Sequence, residues 1–93
     1  MSEEKKQRTA EEILQDNGYE DVVIFSNYSY DTALIGVTED NRAVYDYNKM
    51  IEWLVENQEM NDIEAAEWID YNTIRSLPYA GPGAPIIVYM FEE

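Results

Sequence analysis

Twenty acidic residues against six basic ones give a formal net charge of −14 in 93 residues. That imbalance limits what the chain can fold into more than any other feature. Three of the cations, Lys5, Lys6 and Arg8, stand in the first eight positions. Residues 9–93 therefore carry 18 acids against Arg42, Lys49 and Arg75, a net of −15. A body this negative opposes binding to DNA, RNA or anionic lipid, because phosphates are held by Lys and Arg. A basic protein partner remains compatible with it. Disorder does not follow from the charge. The chain is 45% hydrophobic, with eight Tyr, two Trp and two Phe, and disordered segments are poor in such residues. Its length fits one domain, burying a little over ~60% of its unfolded surface.

Cysteine and histidine are both absent. No disulfide framework or thiolate metal site can form, and the commonest general base near neutral pH is missing. Residues 1–15 are mostly charged and polar, unlike a signal peptide. The apolar runs Val22–Phe25 and Ala84–Phe91 are too short to span a bilayer. A cytoplasmic address is the simplest reading.

Residues 1–8 read as a flexible tail without an apolar anchor, and 9–93 as a single α+β domain. Thr9-Ala10-Glu11-Glu12 is a capping box that opens a short helix resting on Ile13 and Leu14, and Gly18 is placed to terminate it. Asp21–Ser26, β-branched and aromatic, reads as a strand. Thr32–Thr38 and Arg42–Tyr47 flank Glu39-Asp40-Asn41 and predict a hairpin, with Asn41 suited to a left-handed backbone. A helix follows, capped by Asp46 or Asn48, with Tyr47, Met50, Ile51, Leu54 and Val55 at helical spacing. Asn61-Asp62-Ile63-Glu64 opens another helix running to about Leu77, where Pro78 stops it; Ile63, Ala66, Ile69, Ile74 and Leu77 are its apolar positions. Residues 78–85 are turn chemistry. Ile86–Phe91, apolar on both faces, is expected inside the sheet. The expected order is α-β-β-β-α-α-β, a mostly antiparallel sheet of three to four strands packed by two to three helices.

No motif carries recognisable catalytic chemistry. Ser26, Ser29 and Ser76 stand in no nucleophile elbow or SxxK setting. Gly81-Pro82-Gly83 lacks the spacing and the Lys-Ser/Thr of a nucleotide loop. Glu39-Asp40-Asn41 and Asn27–Asp31 are oxygen-rich loops without the calcium-loop pattern, so no metal or cofactor is assigned. Glu52, Glu56 and Glu59 recur at four and three residues, and Glu64, Glu67 and Asp70 every three, so successive carboxylates lie roughly 4.5–6 Å apart along their helices. Almost no cation is interleaved to relieve them. The rows read either as a solvated, solubilising face or as a surface that imitates a nucleic-acid backbone and enters a partner's basic groove. Trp53 and Trp68, lying off the apolar stripes, are candidate interface anchors beside them. Arg75 is expected to clasp Asp70, Asp46 or another carboxylate.

The stretch VYDYNKMIEWLVE…IEAAEWIDYNTIRSLPYAGPGAPIIVY resembles small acidic uncharacterised proteins of Gram-positive gut bacteria and their phages and mobile elements, over about half to two thirds of the chain. The resemblance implies no activity and no functional residues, only a mobile-element setting in which small acidic proteins inhibit nucleic-acid enzymes. The leading expectation is a non-enzymatic protein-binding module using Glu52, Trp53, Glu56, Glu59, Glu64, Glu67, Trp68 and Asp70. The alternatives are a self-associating accessory protein, a homodimer through a sheet edge or exposed aromatics, and a carboxylate-only metal-dependent hydrolase.

Overall fold

The computed structural model describes residues 8–26 and 28–91; most of the expected N-terminal tail lies outside them. The fold is a small α+β domain of three helices and a three-stranded mixed sheet. Helix α1 (Ala10–Asp16) begins at the predicted capping box. The Thr9 hydroxyl accepts from Glu12 N at 3.1 Å, and the Glu12 carboxylate accepts from Thr9 N at 3.2 Å. It ends in a paired reverse turn. Gly18 N–H donates to Gln15 O and Tyr19 N–H to Leu14 O, with Gly18 at φ 86°, a backbone that suits glycine because it has no Cβ.

Strands β1 (Leu34–Val37) and β2 (Ala43–Asp46) form the predicted hairpin, antiparallel, with Asn41 at φ 63° in its loop. Thr38 organises the loop: its hydroxyl donates to the Asp40 carboxylate and accepts from Arg42 N. The hydroxyl's contact holds the Asp40 carboxyl below its ordinary range. Helix α2 (Tyr47–Gln58) starts from Asp46, whose Oδ1 accepts from Asn48 N at 2.9 Å and Lys49 N at 3.3 Å. Helix α3 (Asp62–Trp68) starts from the second capping box, closed in both directions by Asn61 and Glu64. Residues 47–85 then return the chain so that β3 (Ile86–Val88) pairs parallel to β2. Parallel neighbours require such a long crossover.

Four expectations are corrected. Residues 21–26 form no strand. Val22, Ile24 and Phe25 pack on the core as extended chain, and the Phe25 N–H goes to the Tyr45 hydroxyl at 3.3 Å in place of a ladder. Without that strand the sheet order is β1-β2-β3, so β3 is an edge and not interior. One of the two strand pairs is parallel, where mostly antiparallel pairing is expected. The last helix does not run unbroken to Leu77: Ile69–Ile74 widens into a π-helical turn, and Leu77–Tyr79 tightens into a 3-10 turn. The wider i→i+5 turn rotates less per residue than an α-helix. Ala65, Ile69 and Thr73, four residues apart and so on one face, are all buried, while Ile63 is 70% exposed.

The core centres on Tyr30, Tyr45, Met50, Leu54 and Ile69, all with no exposed surface. Tyr30 is held at φ 49°, ψ 48°, a left-handed backbone that costs a bulky residue on the order of 1–3 kcal/mol. Its hydroxyl shares a 2.7 Å hydrogen bond with the Thr73 hydroxyl, and its ring meets Phe25 and Trp53 edge-on. No helix among the described residues is long and apolar enough to cross a membrane.

The Tyr30–Thr73 bond gives a first prediction. Tyr30→Phe and Thr73→Val should each cost about 1–3 kcal/mol in urea unfolding, since each leaves a buried hydroxyl unpaired. The double variant should cost clearly less than the sum; full additivity would mean that the two hydroxyls do not interact.

Alkaline titration gives a second. Burial pushes the Tyr45 hydroxyl up to about 12, opposed by the Phe25 N–H and assisted by Asp31, and burial likewise raises Tyr30. A tyrosine whose folded pKa is raised stabilises the fold fully below its unfolded value of 10.0. That contribution, on the order of 3 kcal/mol for Tyr45, is lost as pH climbs from 10 toward 12. Thermal melts should fall steeply over that interval, with a fraction of the tyrosinate absorbance appearing only on unfolding. If all eight tyrosines ionise near pH 10 in the folded chain, this assignment of the core is wrong.

Candidate functional site

Carboxylates and aromatics meet where α2 turns into α3. Glu59 follows Gln58 and closes α2 in a left-handed conformation, φ 58° and ψ 31°, which turns the chain sharply enough to set α3 against α2. The Asn61 cap then holds the first turn of α3, with Glu64 drawn back onto Asn61 N at 3.0 Å. Between the end of α2 and the outer side of α3 and the π turn lies a shallow open groove of about 480 Å³. Gln58, Glu59, Met60, Glu64, Glu67, Trp68, Tyr71 and Asn72 line it. Its floor is Met60 and the Trp68 edge; its walls are three carboxylates and a Tyr71 ring that is 66% exposed.

The eight predicted residues separate into four groups, one of them Trp53 alone, which packs inward. Glu59, Glu64, Glu67 and Trp68 line the groove together. Glu52 and Glu56 are exposed on α2 outside it. Asp70 is exposed on the other side of the helical arm, toward Tyr47, whose hydroxyl pKa it helps to raise, secondary to burial. Neither tryptophan is the exposed anchor expected from its place off the apolar stripe. Trp53 packs inward with its ring 5.7 Å from Tyr30 and 5.9 Å from Tyr28. Trp68 is half-buried, 5.3 Å from Tyr28. Tyr28 thus bridges the two indoles and recruits both into the core wall. The Trp68 N–H is buried; it approaches the Tyr30 hydroxyl closely enough to lower that group's pKa, without closing a well-formed hydrogen bond.

Among the described residues the one ion pair within salt-bridge distance joins Arg8 to Asp16. Arg75 does not clasp Asp70 or Asp46. Asp46 is occupied in capping α2, Asp70 faces Tyr47, and the Arg75 guanidinium instead sits 5.8 Å above the Tyr71 ring. Glu52, Glu56, Glu59, Glu64, Glu67 and Asp70 are all solvent-exposed, and among the described residues none is within salt-bridge distance of a cation. The described residues contain no convergent cluster of three carboxylates of the kind that ligates a metal. The oxygen-rich loops are engaged locally: Asp31 accepts from Ala10 N at 2.8 Å, and Asp40 from Thr38. Asn27, part of one of those loops, lies outside the described residues.

Tyr71 follows Trp68 by three residues, and no feature of the sequence alone assigns it to the face. Met60 and Gln58 carried no signal, because they reach the groove through the left-handed turn at Glu59. No family model matches the chain, and comparison with curated proteins and with solved structures finds no similar protein. The groove is therefore interpreted on its own chemistry.

Its backbone irregularity can be measured. Glu59→Gly removes the steric penalty of a side chain at positive φ, about 1 kcal/mol, against a smaller entropic loss. Chemical denaturation should show equal or higher stability, by up to about 1 kcal/mol. A clear destabilisation would show that the Glu59 side chain holds the elbow by contacts of its own.

Proposed function

We propose that the protein is a non-enzymatic protein-binding module whose acidic face, centred on the α2–α3 elbow, receives a basic partner. The observation that supports this reading is the exposure of six carboxylates that form no ion pair among the described residues, three of them around one groove with a half-exposed aromatic wall. Like charges at helical spacing destabilise their own helices by a few tenths of a kcal/mol each. A basic partner relieves that repulsion, and complementary potential accelerates encounter. Met60, Trp68 and Tyr71 supply the apolar and aromatic area that interface centres favour.

The finer reading is imitation of a nucleic-acid backbone. Rows of carboxylates spaced roughly 4.5–6 Å along a helix compare with one phosphate per ~3.4 Å of axis on each DNA strand. The part of those rows that shares one surface, Glu59, Glu64 and Glu67, is sparser but of the same sign, which suits occupation of a basic groove. The groove lining sets the partner's chemistry as cationic side chains flanking an apolar or aromatic contact.

Affinity capture from the native lysate at low and high salt, with mass spectrometry of the eluate, tests the proposal. Basic proteins should be retained at low salt and released at high salt. The triple variant Glu59→Gln, Glu64→Gln, Glu67→Gln should weaken capture of the same partner by roughly tenfold or more. Glutamine at position 64 still accepts from Asn61 N, so the cap survives. Retention that ignores ionic strength, or that the triple variant leaves intact, would refute the acidic-face reading.

A further inference from the structure

Helix α1 is loosely anchored. It buries Ala10 and Leu14 alone, and neither belongs to the core cluster around Tyr30, Met50 and Ile69. A cleft of about 250 Å³ separates its C-terminal end from β1, lined by Ile13, Leu14, Asn17 and Tyr19 together with Leu34 and Val37. Elements with few buried contacts open locally well before the whole domain unfolds.

The turn that ends α1 holds the chain's one Asn-Gly pair, Asn17-Gly18, and both residues are exposed. Such a pair carries latent chemistry. The Gly18 backbone nitrogen can attack Cγ of Asn17, because glycine has no side chain to shield it. The N–Cγ bond forms, the Cγ–Nδ2 bond breaks, and Nδ2 leaves as ammonia with the proton that the Gly18 nitrogen gives up. The resulting succinimide takes up water at one of its two carbonyls. Opening at Cγ gives aspartate. Opening at the main-chain carbon gives isoaspartate, in which the backbone runs on through Cγ.

The folded turn blocks each part of that step. The Gly18 N–H donates to Gln15 O at 3.1 Å, so the nucleophile keeps its proton and faces the helix. The Asn17 Nδ2 donates to Ile13 O at 2.8 Å, which holds the side-chain amide back along α1. Ring closure also requires the Gly18 nitrogen to eclipse Cβ about the Cα–C bond. At ψ 8° it nearly eclipses the Asn17 nitrogen instead, roughly 120° away on a tetrahedral carbon. We propose that Asn17 is a latent modification site: closed α1 suppresses succinimide formation at Asn17-Gly18, and opening of α1 releases it. The product then works against reclosure. A carboxylate at position 17 has no N–H for Ile13 O and adds charge beside Asp16 at the negative end of the helix dipole. Isoaspartate adds a main-chain methylene and displaces the Gly18 and Tyr19 amides from Gln15 O and Leu14 O. A transient opening becomes permanent.

Incubation of the full chain in mildly alkaline buffer, folded and in urea, tests this. Peptide mapping by mass spectrometry quantifies aspartate and isoaspartate at position 17. Conversion should be at least about tenfold slower in the folded chain. Thr9→Ala, which removes one half of the α1 capping box, should raise the folded-state rate by about two- to tenfold and leave the rate in urea unchanged. Equal rates in the folded and unfolded chain would overturn the proposal, as would a folded-state rate that Thr9→Ala does not change. The wild-type chain supplies a second check that needs no variant. As urea rises, conversion should accelerate before near-ultraviolet circular dichroism reports loss of the core. If it accelerates only with the core transition, global unfolding is the gate and the proposal fails. Purified modified chain should exchange its α1 amides faster than unmodified chain; identical exchange would refute the block to reclosure.

Discussion

One buried contact organises the molecule: the hydroxyl–hydroxyl hydrogen bond of Tyr30 and Thr73, 43 positions apart. It joins the irregular chain before the hairpin to the far end of the helical arm. Each partner sits in an uncommon backbone, Tyr30 in the left-handed region and Thr73 in a π turn. Around the bond, Phe25, Tyr28, Trp53 and Trp68 close an aromatic wall, and that wall fixes which edge of Trp68 faces the groove.

The core is accordingly built from tyrosine and tryptophan as much as from aliphatic residues. Such rings bury large areas while carrying a polar atom that must be satisfied. Tyr30 solves this with Thr73, and Tyr45 with the Phe25 N–H. The Phe25 amide goes to a side chain and not to a strand ladder, and the sheet has three strands with β3 at an edge. Carboxylates stay outside this core. Asp46, the buried exception, is retained because it caps α2 with two backbone amides.

The parts of the fold legible in the sequence are those decided within a few residues. Both capping boxes, the Asp46 cap, the Gly18 terminus and the Asn41 hairpin loop depend on local hydrogen bonds and backbone preferences, and each stands where its residues predict. The failures are tertiary. Val22–Phe25 has the composition of a strand, yet it packs on the core as extended chain and the Phe25 amide goes to the Tyr45 hydroxyl. Apolar residues on both faces of Ile86–Phe91 predict an interior strand, but that inference assumed a neighbour that never forms. Trp53 and Trp68 lie off the stripes of ideal helices, and only Tyr28, brought in from a distant loop, shows why both are drawn inward. Four of the eight candidate site residues share a groove because of the left-handed turn at Glu59, which no helical periodicity announces.

The departures from regular structure are not spread evenly. Of the three described non-glycine residues at positive φ, Asn41 serves the hairpin loop, where such a backbone is ordinary. The other two, Tyr30 and Glu59, bear on Trp68 from opposite sides: Tyr30 from the core, through its hydroxyl, and Glu59 from the groove that both residues line. The π turn begins at the next residue along. Each feature carries a local cost that an ordinary sequence could avoid with glycine or a regular helix, and each persists only because its surroundings over-determine it. Separate violations of local preference converging on one surface feature mark it as a candidate for function, and here they accord with the proposed role of the acidic elbow.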